Sequence, residues 1–211
     1  MTEQSFKQSR DVAQFQNWGP TYEDSRIQQI RDRIHQSLVD WVGEQGVRPQ
    51  NVLDVGCGTG ALLRRVGIRF PNAELTGVDV SPSMVETARA KVPEGLPVTF
   101  VHGAAEQLPF EDESFDLVVS TICFHHWRSR NEGLAEIQRV LKPGGRVFIA
   151  DHYAVGWLRP FFAVTRCRDR VHTREELTRM YGAAGLRVDR WKLLDRLAKL
   201  PFIHGIGAVK P

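Results

Sequence analysis

Residues 52–60 read "VLDVGCGTG". An apolar run enclosing Asp54 gives way to Gly56, Gly58 and Gly60, separated by Cys57 and Thr59. That order predicts a buried strand, a tight turn and the start of a helix. Glycine lacks a Cβ, so the main chain here can turn sharply and lie against a ligand. Ligands of open α/β sheets sit beyond the carboxyl ends of the strands, at the switch point. The N–H groups of the turn, at a helix N-terminus, favour an anionic or polar group. Asp79 follows Asp54 by 25 residues, at the end of a second apolar run. A carboxylate there is placed to accept hydrogen bonds from a ribose diol. These features describe a nucleoside-containing ligand. The spacing is G-x-G-x-G rather than the dinucleotide pattern G-x-G-x-x-G. Asp54 inside the motif would repel a pyrophosphate and attract an ammonium group.

Outward from this motif, strand and helix patterns alternate. Strands are predicted at 51–55, 73–80, 98–103, 115–122 and 146–151, the fourth apolar enough to be buried on both faces. Helices are predicted at 60–70, after Ser81–Pro82 with Ser81 as cap, at 130–141 and at 173–186. The last of these opens with a capping-box pattern, Thr173 and Glu176. "KPGG" at 142–145 is read as a turn feeding the fifth strand. "RVDRWKLL" and "FIHGIGAVK" are expected to form a terminal antiparallel pair. On the N-terminal side, Ile27, Ile30, Ile34, Leu38, Trp41 and Val42 fit one helix face. The fold class is therefore α/β, a doubly wound, mostly parallel sheet closed by a C-terminal antiparallel strand pair. One domain spans 1–211. Residues 1–45 are covering helices, 50–150 the ligand-binding core, 151–172 an acceptor lid, and 173–211 the C-terminal helix and strand pair.

The composition is that of an ordinary globular chain, 42% hydrophobic and 25% charged over 211 residues. No apolar run reaches the roughly 20 residues that cross a membrane, and the polar N-terminus has no signal-peptide core. Cys57, Cys123 and Cys167 have neither metal-site nor disulfide spacing, so a cytoplasmic setting with reduced thiols is expected. Charge is uneven. Residues 1–127 hold 11 Lys+Arg against 17 Asp+Glu, a net of −6, while 128–211 hold 17 against 8, a net of +9. The arginines of "TRCRDRVHTR" (165–174) could grip an anionic acceptor or simply form a solvated helix face. No RNA-binding module with interleaved aromatics is present, which argues against nucleic acid.

Four stretches in order carry a resemblance: "VLDVGCGTG", "LTGVDVSPSMVETAR", "VHGAAEQLPFEDESFDLVVS" and "EIQRVLKPGGRVFI". Over about residues 50–150 the chain resembles the class I S-adenosylmethionine-dependent methyltransferases, in particular the quinone and small-molecule subgroup. The resemblance implies a Rossmann-like seven-stranded sheet, S-adenosyl-L-methionine as cofactor and S-adenosyl-L-homocysteine as its product. It implies that Asp54 holds the methionine ammonium, that Gly56, Cys57 and Gly58 pass the methionine part by main-chain contact, and that Asp79 takes the ribose hydroxyls. Val80 and Met84 would flank the adenine, and Ala105 would offer its N–H to an adenine nitrogen. Ser120 or Thr121 would offer a carbonyl to the ammonium, and Tyr22 would close over the cofactor. The family often has Asp where this chain has Ala104; Glu106 or a water would then take the adenine amino group.

Methyl transfer from a sulfonium requires alignment in a dry cleft, and a base only where the nucleophile must lose a proton. Candidate bases follow the fourth and fifth strands: His125 and His126 in "CFHHW", then His152, with Asp151 and Tyr153, in "ADHY". A neutral acceptor oriented without a base is the alternative. Aromatics at 14–22 and at Trp157, Phe161 and Phe162 suggest an apolar roof over an aromatic or quinone-like small molecule. No metal is required by these residues. Two other readings stay open: a non-catalytic S-adenosylmethionine-binding regulatory protein, and an NAD(P)-dependent oxidoreductase, which the glycine spacing disfavours.

Overall fold

A computed structural model describes residues 26–155, 158, 171–197 and 199–211. The elements in chain order are α1 (Arg26–Glu44), β1 (Asn51–Val55), α2 (Ala61–Arg69), β2 (Glu74–Asp79), α3 (Pro82–Ala90), β3 (Val98–His102), β4 (Phe115–Thr121), a 3-10 turn (Phe124–His126), α4 (Arg130–Val140), β5 (Leu141–Asp151), α5 (Arg174–Ala183), β6 (Arg187–Leu197) and β7 (Leu200–Val209). The seven strands form one sheet in the order β3-β2-β1-β4-β5-β7-β6. β1 to β5 are parallel, whereas β7 is antiparallel to both β5 and β6. This is the expected mostly parallel sheet with its antiparallel terminal pair.

Alternate strand residues face opposite layers, as the period of two demands. Val52, Leu75, Leu117, Val119 and Phe148 pack with Ile34, Leu38 and Trp41 of α1, Leu62, Leu63 and Val66 of α2, and Val85 and Ala88 of α3. Leu53, Val55, Val118, Val147 and Ile149 pack with Leu134, Ile137 and Val140 of α4 and Leu177 and Tyr181 of α5. Helices thus cover both faces of the sheet. Ile34, Leu38, Trp41 and Val42 of the α1 stripe are buried, Ile30 is half-buried, and Trp41 meets Phe148 edge-on with ring centroids 5.0 Å apart. Burying a side chain of this kind contributes about 2 to 3 kcal/mol.

Some local expectations shift. α5 opens with the complete capping box, Thr173 accepting from Glu176 N while Glu176 accepts from Thr173 N. Ser81 precedes α3, but its side chain does not cap; the Asp79 carboxylate takes the Ser81 N–H instead, at 2.9 Å. "KPGG" lies within β5, because Gly144 and Gly145 exchange main-chain bonds with Lys210 beyond β7. Tyr22, the aromatics at 14–22, Trp157, Pro160, Phe161, Phe162, Cys167 and the arginines before 171 lie outside the described residues, and with them most of the expected lid. Among the described residues, no helix is long and apolar enough to cross a membrane.

Candidate active site

The carboxyl ends of β1, β2 and β4 open onto a cleft of about 130 Å³, where the strand order reverses direction at β1 and β4. Asp54, Gly56, Cys57, Gly58, Asp79, Val80, Met84, Ala104, Ala105, Glu106, Thr121 and His126 all line it. Ser120 does not. Its side chain is fully buried and its hydroxyl donates to Val55 O at 2.7 Å, tying β4 to β1.

The glycine turn differs from the expected anion cradle. Gly56 N and Cys57 N donate to Val78 O (2.8 and 3.1 Å), Gly58 N to Asp79 Oδ2 (2.8 Å) and Gly60 N to Cys57 O (2.9 Å). These N–H groups are used within the protein, so the turn offers a ligand shape rather than donors. The loss counts against a pyrophosphate and suits a ligand that is cationic at this end. Gly56 and Gly58 also differ from each other. At Gly56 (φ +77°) a Cβ would stand 2.0 Å from Cys123 Sγ; at Gly58 (φ +51°) it would meet nothing within 4 Å. Gly56 is needed for packing, and Gly58 keeps open space for a ligand.

Two carboxylates flank the turn. Asp54 is 1% exposed, and its Oδ1 has no hydrogen-bond partner among the described residues. Burial, then the nearby Asp79 charge, push the Asp54 carboxyl well above the ordinary range. Burial also raises Asp79, against the lowering effect of the Ser81 and Gly58 N–H groups. Each Asp79 oxygen accepts one main-chain bond, leaving further lone pairs for a diol. Val80 is 38% exposed beside the cleft, and Met84 is buried. One Glu106 oxygen accepts from Ser129 N at 3.0 Å, so this side chain also anchors the start of α4.

Beyond His126 the cleft meets a cluster absent from its own lining. Asp151, wholly buried, accepts from His125 Nδ1 (2.8 Å to Oδ1) and His152 Nδ1 (2.8 Å). It also accepts from the main-chain N–H of His125 (3.1 Å) and of His152 (2.7 Å). Burial alone would raise its pKa, but the two imidazoles outweigh burial and hold it far below the carboxylate range. The His125 and His126 rings lie 3.9 Å apart, and His152 meets Phe202 edge-on. The same three side chains, His125, Asp151 and His152, bring possible ligand atoms within 4.8 Å of one another. Tyr153 is removed as a base: it is 1% exposed, and burial pushes its phenol well up.

Two ionisable residues of α1 in the cleft were not expected from the sequence. Arg31 and His35 of α1 reach the cleft from the sheet face covered by that helix. Burial lowers Arg31 to about 10, so it stays a cation at neutral pH, and lowers His35 to about 4. At about 100° per residue, Arg31 falls between Leu38 and Val42 on the helix wheel. A cation within an apolar stripe was the available signal.

Comparison with known proteins bears on this cleft. Residues 53–149 match the family model described as a methyltransferase domain. The chain is 33% identical over 170 residues to malonyl-acyl-carrier-protein O-methyltransferase of Geobacter sulfurreducens, covering 75% of this chain and 63% of that protein. It is 38% identical over 107 residues to demethylmenaquinone methyltransferase of Chlorobaculum tepidum, covering 51% and 43%. The chain thus spans less than two thirds of the length of either relative. The fold matches the crystal structure of a SAM-dependent methyltransferase from Aquifex aeolicus, with a TM-score of 0.68 at 23% identity, over 83% of this chain and 92% of that one. The glycine turn and the acid ending β2 fall inside the segment that matches the methyltransferase-domain model, and in motifs and strand order the chain is similar to the class I S-adenosylmethionine-dependent methyltransferases.

Proposed function

We propose that the protein transfers a methyl group from S-adenosyl-L-methionine to a small-molecule acceptor. The observation that carries this reading is Asp54 Oδ1, buried and unpartnered beside the open space at Gly58. A buried acceptor atom left without a donor costs about 1 to 3 kcal/mol, which an ammonium group on the ligand would recover. Arg31, on the other wall, suits the carboxylate of the same amino-acid moiety. Asp79 has lone pairs for the ribose hydroxyls, Val80 and Met84 give apolar contact for adenine, and Ala104 and Ala105 provide main chain beside it. Thr121 supplies main chain at the end of β4. When bound, the cofactor supplies a methyl group on a sulfonium with a neutral leaving group.

An aromatic or quinone-like acceptor is favoured by the name of the demethylmenaquinone relative, by Phe202 edge-on to His152, and by Trp127 beside His126 in the cleft lining. A cytoplasmic setting fits the free Cys57 and Cys123 thiols, both pushed up by burial and hence inert. Incubation with methyl-labelled cofactor and a metabolite extract, followed by mass spectrometry, tests the activity. Labelled product is expected. Tight cofactor binding with no labelled product from any extract would favour the regulatory reading instead.

A further inference from the structure

We propose that Asp151 is a positioning residue that holds His125 and His152 together in the Nδ1–H form, making a paired base for an acceptor whose nucleophile is an O–H group. The inference rests on the methyltransferase reading and deepens it by naming the acceptor's chemistry.

A carboxylate only accepts hydrogen bonds. Both imidazoles approach Asp151 through Nδ1, at 2.8 Å, so in the neutral rings both protons sit on Nδ1. Each Nε2 is then a lone-pair acceptor at the end of the ring remote from the buried carboxylate. The His125 and His152 side chains keep 17% and 23% of their surface accessible while Asp151 has none. The cluster is fixed from several sides. The two main-chain N–H groups hold the carboxylate, and Arg130 Nη2 donates to His125 O at 3.0 Å. The His126 ring lies tilted at 41° against that of His125, with centroids 3.9 Å apart, and lines the cleft, so the pair sits one ring behind the cleft wall. The other ionisable groups around Asp151 are Cys123, Tyr153 and Tyr181, all neutral at physiological pH because burial raises each of them. Arg130 donates to the His125 main chain, and among the described residues Asp151 is the one carboxylate that hydrogen-bonds the two imidazoles.

An amine that is already neutral needs no such device, whereas a phenol or hydroquinone does. The acceptor's O–H proton passes to one Nε2, and the new imidazolium keeps its Nδ1–H on Asp151. The oxygen's electron pair forms the bond to the methyl carbon as the carbon–sulfur pair leaves with sulfur. The proton is then lost to water from the accessible ring edge. Protonating the second ring as well would set two cations side by side, so one ring acts as base in each turnover.

Long-range proton–nitrogen spectra of the full chain labelled with nitrogen-15 histidine provide a test independent of activity. His125→Gln and His152→Gln assign the two signals. Both rings are expected as the Nδ1–H tautomer, and Asp151→Asn is expected to shift them toward Nε2–H. An Nε2–H tautomer at both rings of the wild type overturns the proposal. So does a stoichiometric shift of both signals on adding zinc alone, which would make the cluster a metal site. For turnover, 1,4-naphthohydroquinone and a primary arylamine serve as probes. Asp151→Asn and the double Gln variant should lower kcat for the hydroquinone by roughly 100-fold, with the pH profile displaced and cofactor affinity by calorimetry unchanged. Unaltered hydroquinone kinetics in a folded double variant overturns the proposal. Failure of the wild type to bind the cofactor at all would instead sink the reading on which it rests.

Discussion

The two sides of the cleft are built differently. The proposed cofactor side is local: Asp54 to Gly60 and Asp79 to Met84 are two strand-to-helix connections, tied to each other by hydrogen bonds from main-chain N–H groups. The proposed acceptor side is assembled from side chains far apart in the chain, with His125 after β4, Asp151 and His152 ending β5, and Phe202 on β7. A site made of main chain tolerates little change in backbone path but much in side-chain identity. A site made of distant side chains can be rebuilt one residue at a time. On the proposed reading, the acceptor could change through single side chains while the cofactor side stays as it is.

The sharpest way to break this comparison is at the place where the sides touch. Gly56→Ala should destabilise the fold by about 3 kcal/mol or more, from a side chain at positive φ together with the overlap on Cys123. Adding Cys123→Ala should restore only part of it, because the φ remains; urea unfolding of the single and double variants measures both. Full recovery would show that packing alone demands the glycine.

Asp54→Asn should weaken cofactor binding by about 10- to 100-fold, roughly 1.4 to 2.8 kcal/mol, in calorimetry. The same variant should be more stable than wild type without cofactor at pH 8. A carboxyl whose pKa is raised by folding binds its proton more tightly in the native state, so stability falls as pH rises above its unfolded value near about 4. Wild-type binding at pH 6.5 should therefore release protons, seen as a dependence of binding heat on buffer, and Asp54→Asn should abolish that release.

Arg31→Leu should cost about 10-fold in cofactor affinity, roughly 1.4 kcal/mol, with folding unchanged or improved. Unaltered affinity would leave Arg31 outside the cofactor's reach. The smallest effect belongs to a control at the opposite end of the sheet. Asp116 accepts from Gln50 N (3.0 Å), Asn51 N (2.8 Å) and Lys142 Nζ (3.1 Å). Burial would raise its pKa, but these donors outweigh burial and lower it. Its contribution is present above about pH 4 and fades as acid protonates it. Asp116→Asn should cost at most about 1 kcal/mol, since solvent screens the site, and leave cofactor binding untouched.

How much the sequence reveals follows the same division. β1, its glycine turn and Asp79 are legible because each is a contiguous signal set by local backbone chemistry. The stripe of α1 is legible as periodicity, yet periodicity hides Arg31, whose role depends on which strand ends lie beneath it. His125, His126 and His152 are visible as candidates on two loops, but their joining through Asp151 depends on β4 and β5 being neighbours. The engagement of the turn's N–H groups by Val78 and Asp79 is likewise a fact of strand pairing, invisible in the glycines themselves.

The position of β7 has a consequence for assembly. It is synthesised after β6, yet it occupies the slot between β6 and β5. Until it arrives, a nascent chain has no strand paired with β6 and leaves the flank of β5 bare. Any extended segment that reaches that gap first, from a chaperone or another copy, would compete for it. Because Leu197 of β6 lies opposite Leu200 of β7, the two strands can close as a hairpin and add to β5 as one unit through the β7 edge.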